Sequence, residues 1–383
     1  YQATLTRYER SNILQKASAL LRARAEEAST LITLESGLCK KDSMYEIGRV
    51  ADVLVFGANE ALRDDGQVFS CDLTPHGKRR KVITTREPLL GVITAITPFN
   101  HPMNQVAHKV VPSIATNNRM VLKPSEKVPL SACFLADILY EAGLPPEMFQ
   151  VVTGDPREIA DEMLTIPDVD LVTFTGGVAV GKYIAARAVY KRQVLELGGN
   201  DPIIVMEDAD VEEAATLAAS GSYKNSGQRC TAVKRMLVHA SVADDFVDRL
   251  VAKTRAVKHG DPLDPDTDMG TVIDEAAARE FEARVDGAVA SGARVLAGHV
   301  RRGALYAPTV VDRVLPDMPL VKEETFGPVS PVIRFRDLDE AIVSLAASPT
   351  GDELMLRRLK KRKLALKDRI IAIEHMLSPD ERA

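Results

Sequence analysis

Tryptophan is absent from the 383 residues and aromatic residues make up only 5%, so any core must be built from aliphatic side chains, as in alternating α/β packing. The four cysteines, Cys39, Cys71, Cys133 and Cys230, form no CxxC pair and have no histidine at zinc spacing. That pattern excludes a disulfide scaffold and a zinc ribbon, fits a reducing cytosol, and leaves no metal site to expect. No apolar run reaches the roughly 20 residues of a membrane helix. No charged-then-apolar leader follows Tyr1, so a cytoplasmic chain without a membrane partner is expected. A net charge of -5 gives no general pull toward nucleic acid. The GxGxxG fingerprint is also missing, so a dinucleotide would need other glycine turns. What is present is length and apolar material: 45% hydrophobic residues in a chain too long for one growing core predict two domains.

Helical spacing over residues 7 to 28 (Ile13, Leu14, Ala17, Leu20, Leu21) predicts an exposed amphipathic helix, and a second helix is expected from Val50 to Leu62. Alternation around Pro75-His76-Gly77 predicts a β-hairpin, with Lys78-Arg79-Arg80-Lys81 on a solvated strand. From Gly91 apolar strands alternate with helices: Val92 to Ile96, Asn104 to Ala115, Met120 to Leu122, Leu130 to Ala142, Phe149 to Val152 and Leu171 to Phe174. That order implies a parallel sheet wrapped by helices, an architecture suited to nucleotides. A second α/β unit is expected near Asn200, with Asp208-Ala209-Asp210 capping a helix through Ala219, a strand from Met236 to Val238 and a helix from Ala243 to Val257.

Five places carry candidate chemistry. Cys230 follows Gly227-Gln228-Arg229 and precedes Thr231, a polar turn that favours an accessible, ionisable thiol; free cysteines otherwise pack as small hydrophobes. Glu196 sits between Leu195 and Leu197-Gly198-Gly199, which reads as the end of a buried strand. Desolvation there suits a general base that activates water, although a strand-end Glu is more often structural. Asn100, in Thr97-Pro98-Phe99-Asn100-His101-Pro102, is either a helix cap or an amide that donates to a developing oxyanion alongside the Cys230 amide. Phe174-Thr175-Gly176-Gly177 leaves a strand and opens a helix containing Val180, where backbone amides can face a pyrophosphate. Lys123-Pro124-Ser125-Glu126 offers a cation and a carboxylate to ribose hydroxyls; Glu126 repels a 2′-phosphate and favours NAD over NADP.

Taken together, Pro98-Phe99-Asn100, Lys123-Pro124-Ser125-Glu126, Phe174-Thr175-Gly176, Glu196-Leu197-Gly198-Gly199, Gly227-Gln228-Arg229-Cys230 and Glu323-Glu324-Thr325-Phe326-Gly327-Pro328-Val329 resemble the aldehyde dehydrogenase superfamily over residues 1 to 347. The resemblance implies an α/β fold: a Rossmann-type parallel-sheet cofactor domain over 1–198 with an oligomerisation-type hairpin at 66–88, a C-terminally truncated α/β catalytic domain over 199–349, and a helix over 350–383. It implies Cys230 as nucleophile, Glu196 as base, Asn100 as oxyanion donor, and Lys123, Glu126 and Glu324 as ribose contacts. Phe326 is implied beside the nicotinamide, and Thr97, Pro98, Phe99, Ser125, Gly154, Leu197 and Gly198 along the cofactor. A homodimer or homotetramer is expected of the family. Arg229, unusual beside the nucleophile, suggests an anionic aldehyde, with His101, Arg49 and Thr231 completing a clamp; a structural pairing with a carboxylate is the alternative. The motifs resemble phosphonoacetaldehyde dehydrogenases most, then non-phosphorylating glyceraldehyde-3-phosphate dehydrogenases.

Composition changes at Ser348-Pro349-Thr350-Gly351. Beyond it Leu359, Leu366, Ile370, Ile373 and Leu377 lie at 3- and 4-residue spacings among Arg and Lys, an amphipathic helix ending at Ser378-Pro379. This tail resembles small helical YdcH-like proteins, and the family's own sequence is expected to begin before Tyr1 and to continue past Ala341. A frameshift, gene rearrangement or join near residue 350, ahead of a purposeful fusion, is expected to explain the change. The contrasting reading is an inactive remnant whose basic helix mediates coiled-coil association.

Overall fold

A computed structural model of the chain describes residues 5–63, 66–77, 81–84, 88–89, 91–346 and 353–377. The composition break at 348–351, the basic residues Lys78, Arg79 and Arg80, and the expected stop at Ser378-Pro379 lie outside them. Cα proximity divides the chain into two compact units, Tyr1–Leu197 and Gly198–Ala383.

The first unit opens with α1 (Arg7–Ala23), α2 (Ala25–Ser36) and α3 (Lys40–Ala61). A reciprocal cap starts α1: the Thr6 hydroxyl accepts from the Glu9 amide at 3.2 Å and the Glu9 carboxylate accepts from the Thr6 amide at 2.7 Å. The single helix expected over 7 to 28 is in fact broken at Arg24, where φ -107° and ψ 23° leave the helical well. No Gly or Pro marks the break. The Arg24 guanidinium instead pairs with Glu27 at 2.8 Å and lies 4.4 Å over the Phe134 ring, contacts that periodicity does not reveal. The second expected helix begins ten residues earlier than Val50, at Lys40. Its buried face carries Ser43 and Glu46, which dilute the apolar spacing; the Ser43 hydroxyl lies 2.8 and 2.9 Å from those of Ser29 and Thr33.

Strands β1 (Val68–Ser70) and β2 (Lys81–Ile83) pair antiparallel, Val68 opposite Ile83, as the alternation predicts. There follow β3 (Val92–Ile96), α4 (Asn104–Ala115), β4 (Met120–Lys123), α5 (Leu130–Glu141), β5 (Phe149–Val151), α6 (Pro156–Thr165), β6 (Val169–Thr175), α7 (Val178–Ala188) and β7 (Arg192–Glu196). The sheet order is β5-β4-β3-β6-β7 with every neighbour parallel. The chain therefore steps outward from β3 to β5 and then resumes on the other side of β3. This reversal between β3 and β6 is the switch point at which open parallel sheets place their ligand crevice, beyond the carboxyl ends of the strands. Ala95 and Leu122 from the sheet and Val106, Val110, Leu135 and Leu139 from α4 and α5 are all fully buried in one core.

The second unit comprises β8 (Pro202–Val205), α8 (Val211–Tyr223), β9 (Arg235–His239), α9 (Ala243–Ala256), α10 (Glu275–Ala290), β10 (Arg294–Ala297), β11 (Arg301–Arg302), β12 (Leu305–Tyr306), β13 (Thr309–Asp312), α11 (Pro319–Lys322), β14 (Val329–Phe335), α12 (Leu338–Ala346) and α13 (Glu353–Leu377). Its sheet runs β10-β13-β14-β9-β8, parallel except for β10. Asp210 caps α8 by accepting the Glu213 amide at 3.0 Å, and the helix continues past Ala219 to Tyr223. Leu359 on α13 is buried against the unit's core with Leu356 beside it, and Arg362 reaches Asp208 at 3.2 Å. Further along, Leu364, Leu366, Ile370 and Ile373 are exposed, so among the described side chains the docked part of the amphipathic stripe lies in its opening turns. Among the described residues no helix is long and apolar enough to cross a membrane, and no group of three or more His, Cys, Asp or Glu is placed to hold a metal.

Candidate active site

Cys230 is the exposed member of the four cysteines; Cys39 is buried and Cys71 and Cys133 are half-buried. Desolvation raises the Cys39 thiol to about 11 and pushes Cys133 upward as well. The backbone explains the presentation. After α8 the chain passes through three consecutive left-handed residues, Asn225 (φ 60°), Ser226 (φ 53°) and Gly227 (φ 70°), a conformation that L side chains adopt at a cost of about 1–3 kcal/mol each. A Cβ on Gly227 would lie 2.3 Å from the Gly327 carbonyl oxygen, so glycine is required for the cysteine turn to lie against the Glu323–Val329 motif. Gln228 locks the turn by accepting the Ile273 amide at 2.9 Å.

Gly198 and Gly199 converge on the same place. A Cβ on Gly198 would meet a Glu324 carboxylate oxygen at 2.1 Å, and one on Gly199 would lie 3.1 Å from the Cys230 carbonyl. The Gly199 amide donates to Glu324 Oε1 at 3.3 Å. The second unit thus gathers three sequence motifs around Cys230 and Glu324. Arg229, on the same turn, donates from Nη2 to the Gly221 carbonyl at 2.9 Å, and Thr231 next to Cys230 is exposed. Phe326 stacks beneath the Lys234 ammonium, 5.3 Å from its ring centre.

In the first unit Asn100 is buried in the turn that leaves β3, beside the β3/β6 switch. It is not the cap of α4. Glu46 from α3, 2% exposed, accepts the Met103 and Asn104 amides at 2.9 and 2.8 Å, which satisfies the first donors of that helix. Glu46→Ala removes this buried acceptor, and a loss of about 2–3 kcal/mol in urea unfolding is expected; an unchanged midpoint would show that water replaces it.

Glu196 departs from expectation: it is exposed, not buried. The reason is topological, since β7 is the edge strand and its residues alternate exposed and half-buried. A neighbour that sequence reasoning missed compensates. Lys109 on α4 is buried, its ammonium is held below its ordinary pKa by desolvation, and the Glu196 charge opposes that shift. The available signal was a lysine within Val106, Ala107, Val110 and Val111, a face too apolar for an unpaired cation.

Most of the residues expected along the cofactor lie in the first unit. Lys123, 3% exposed, donates to the Pro124 carbonyl at 3.0 Å and to Glu126 at 3.3 Å. Glu126, Pro124, Pro129, Gly154 and Asp155 line a cavity of about 360 Å³. Gly154 has φ 149°, and a Cβ there would meet Ile159 at 2.9 Å. Ser125 and Val128 close a turn beside this cavity through an amide-to-carbonyl bond of 3.1 Å. At the switch point, the buried hydroxyls Thr97 Oγ1 and Thr175 Oγ1 find no hydrogen-bond partner among the described residues, as expected where a polar ligand supplies the missing bonds. Phe174 is buried, and its ring would meet a Cβ on Gly176 at 2.5 Å. Gly177 opens α7 with no side-chain cap and with open space around it, and Val180 on the first turn is exposed. Leu197 packs on Gly181 of α7. Pro98 and Phe99 complete the β3 turn, with the Lys127 ammonium 5.6 Å over the Phe99 ring. These residues fit a dinucleotide.

The expected substrate clamp is divided between the units, Arg49 and His101 in the first, Arg229 and Thr231 in the second. His101 Nδ1 lies 3.7 Å from Glu46. Desolvation, then the positive charges of Arg49, Lys109 and His101, hold the His108 imidazole below its ordinary pKa, so four basic groups share the region where α3 meets α4.

Comparison with known proteins agrees with this reading. Residues 2–355 match the model of the aldehyde dehydrogenase family. The chain is 39% identical over 348 residues to a 3-sulfolactaldehyde dehydrogenase of Priestia aryabhattai, covering 91% of this chain and 73% of the relative. Among solved structures it is similar to the NADP-dependent glyceraldehyde-3-phosphate dehydrogenase of Bacillus halodurans, with a TM-score of 0.88, 38% identity, and 94% and 77% of the two chains covered. An NAD-dependent aldehyde dehydrogenase of Sinorhizobium meliloti gives a TM-score of 0.84 at 37% identity, covering 91% and 69%. The relative named for a sulfonated aldehyde shifts the emphasis away from phosphonoacetaldehyde as the nearest likeness. The chain belongs to the aldehyde dehydrogenase family, NAD(P)-dependent enzymes of mixed α/β fold.

Proposed function

We propose that this protein oxidises a short aldehyde carrying a terminal oxyanion group, a sulfonate or a phosphonate, to the corresponding acid with NAD. The observation that carries the reading is the exposure of Cys230 on a strained, glycine-dependent turn beside Glu324. The Cys230 thiolate attacks the aldehyde carbon, and the resulting thiohemiacetal oxyanion is held by the Asn100 amide and the Cys230 backbone N–H. NAD, when bound, takes up the hydride that the carbon loses. Glu196 removes a proton from water, which attacks the thioester, releases the acid and returns the sulfur to Cys230. Lys123, Glu126 and Glu324 hold the ribose hydroxyls, and Glu126 with Asp155 in the same cavity disfavours a 2′-phosphate, which supports NAD over NADP.

Arg229, Thr231, His101 and Arg49 bind the distal anion. The fork of the guanidinium matches tetrahedral oxyanions, and the names of the sulfolactaldehyde and glyceraldehyde-3-phosphate relatives support an anionic substrate class. Within that class phosphonoacetaldehyde and sulfoacetaldehyde are the preferred candidates, ahead of glyceraldehyde 3-phosphate. Steady-state comparison of these three with a neutral aldehyde of equal length tests the assignment. Arg229→Ala is expected to lower kcat/KM for the anionic substrates about 10- to 100-fold and to leave the neutral aldehyde unchanged. An equal loss on all four would remove Arg229 from the substrate site, and inactivity of the parent chain on every aldehyde would favour the inactive remnant.

A further inference from the structure

Lys234 lies four residues past the nucleophile, and its side chain is 2% exposed. Its ammonium donates to the Gly199 carbonyl at 2.7 Å, to the Cys230 carbonyl at 3.2 Å and to the Glu324 carboxylate. The three N–H donors of a lysine are thereby matched by three oxygens, and the Phe326 ring covers the remaining side. A buried cation is retained at this cost only when its partners are well placed. Each partner here belongs to a separate segment: the turn after Gly198, the nucleophile's own main chain, and the Glu-Thr-Phe-Gly motif.

We propose that Lys234 is a positioning residue that fixes the main chain of Cys230 to the Gly198-Gly199 turn and to Glu324, so that one cation sets both the presentation of the thiol and the placement of the ribose-binding carboxylate. The inference rests on Cys230 as nucleophile and Glu324 as ribose contact. It adds a residue that touches neither substrate nor reacting atoms, and it couples the two sites. The spacing of the motif accounts for the geometry: Ala232, 1% exposed, turns the chain inward between the exposed Thr231 and the buried Lys234, so the lysine side chain folds back under the cysteine that precedes it.

The test uses the full chain and two readouts: the rate of Cys230 alkylation by iodoacetamide across pH, followed by peptide mass spectrometry, and the NADH dissociation constant from nucleotide fluorescence. Lys234→Met, similar in length and uncharged, is expected to slow alkylation about fivefold or more, to move its pH midpoint upward, and to weaken NADH binding by a similar factor. Lys234→Arg is expected to recover part of both. Arg284→Met serves as the control, because Arg284 donates to the Glu324 main-chain carbonyl at 2.7 Å without touching Cys230; its alkylation rate is expected to stay within about twofold of the parent's. A folded Lys234→Met protein with the parent's alkylation rate, pH midpoint and NADH affinity overturns the proposal. Should that variant not fold, Glu324→Gln, which removes the ionic partner and leaves Lys234 in place, decides in the same way: a changed alkylation profile supports the coupling and an unchanged one overturns it. Failure of the underlying reading looks different, since Cys230 of the parent chain would then react no faster than Cys71.

Discussion

Cys230→Ser is expected to abolish aldehyde oxidation, with kcat falling by about 10⁴-fold or more, because a serine hydroxyl ionises far less readily than the thiol proposed as nucleophile. NADH affinity should remain within about threefold of the parent's, since the substitution changes one atom and leaves Lys123, Glu126 and Glu324 in place. Cys39 and Cys133 are not suited to replace it. Cys39 is buried with its thiol raised to about 11, and Cys133 is pushed upward by burial and by the nearby Asp137 and Glu35 charges. Retention of more than about a tenth of the parent rate in steady state would assign the chemistry elsewhere.

With Glu196 as the proposed base, Glu196→Gln is expected to separate the two halves of the reaction. The glutamine keeps the shape and loses the base, so thioester formation proceeds while hydrolysis slows by about 10²- to 10⁴-fold, the range for a lost general base. Stopped-flow absorbance is expected to show a burst of NADH close to one equivalent per Cys230, followed by a slow steady state. Equal slowing of burst and steady state would place Glu196 before hydride transfer. The exposure of Glu196 on the edge strand leaves its carboxylate accessible to water.

Strongly patterned parts of the fold are legible in the sequence. The strand from Val92 to Ile96 and the helix from Asn104 to Ala115 match their expected bounds residue for residue, because apolar runs ended by Pro98-Phe99-Asn100 and Asn117 leave no competing register. Elements whose inward face is polar are harder to read: α3 hides its first turns behind Ser43 and Glu46, and the α1/α2 break at Arg24 comes from a cation over Phe134 rather than from a local breaker. At the site, the Gly227 and Gly198 requirements are visible as glycines but explicable only in three dimensions, since each avoids an atom more than ninety residues away, Gly327 or Glu324. Burial of Glu196 was inferred from its apolar neighbours; strand order, which no single segment encodes, puts it at the sheet edge. A lysine in sequence reads as surface, whereas Lys109 and Lys234 are both buried, Lys234 against the Glu324 carboxylate.

Intact-protein and peptide mass spectrometry of Glu196→Gln, mixed with NAD and sulfoacetaldehyde or phosphonoacetaldehyde and quenched in acid, tests the nucleophile directly. The account predicts one acyl group per chain, mapped to the peptide that contains Cys230 and absent when NAD is omitted. An acyl group on Cys39, Cys71 or Cys133, or turnover to NADH with no acyl-enzyme at any quench time, would contradict it.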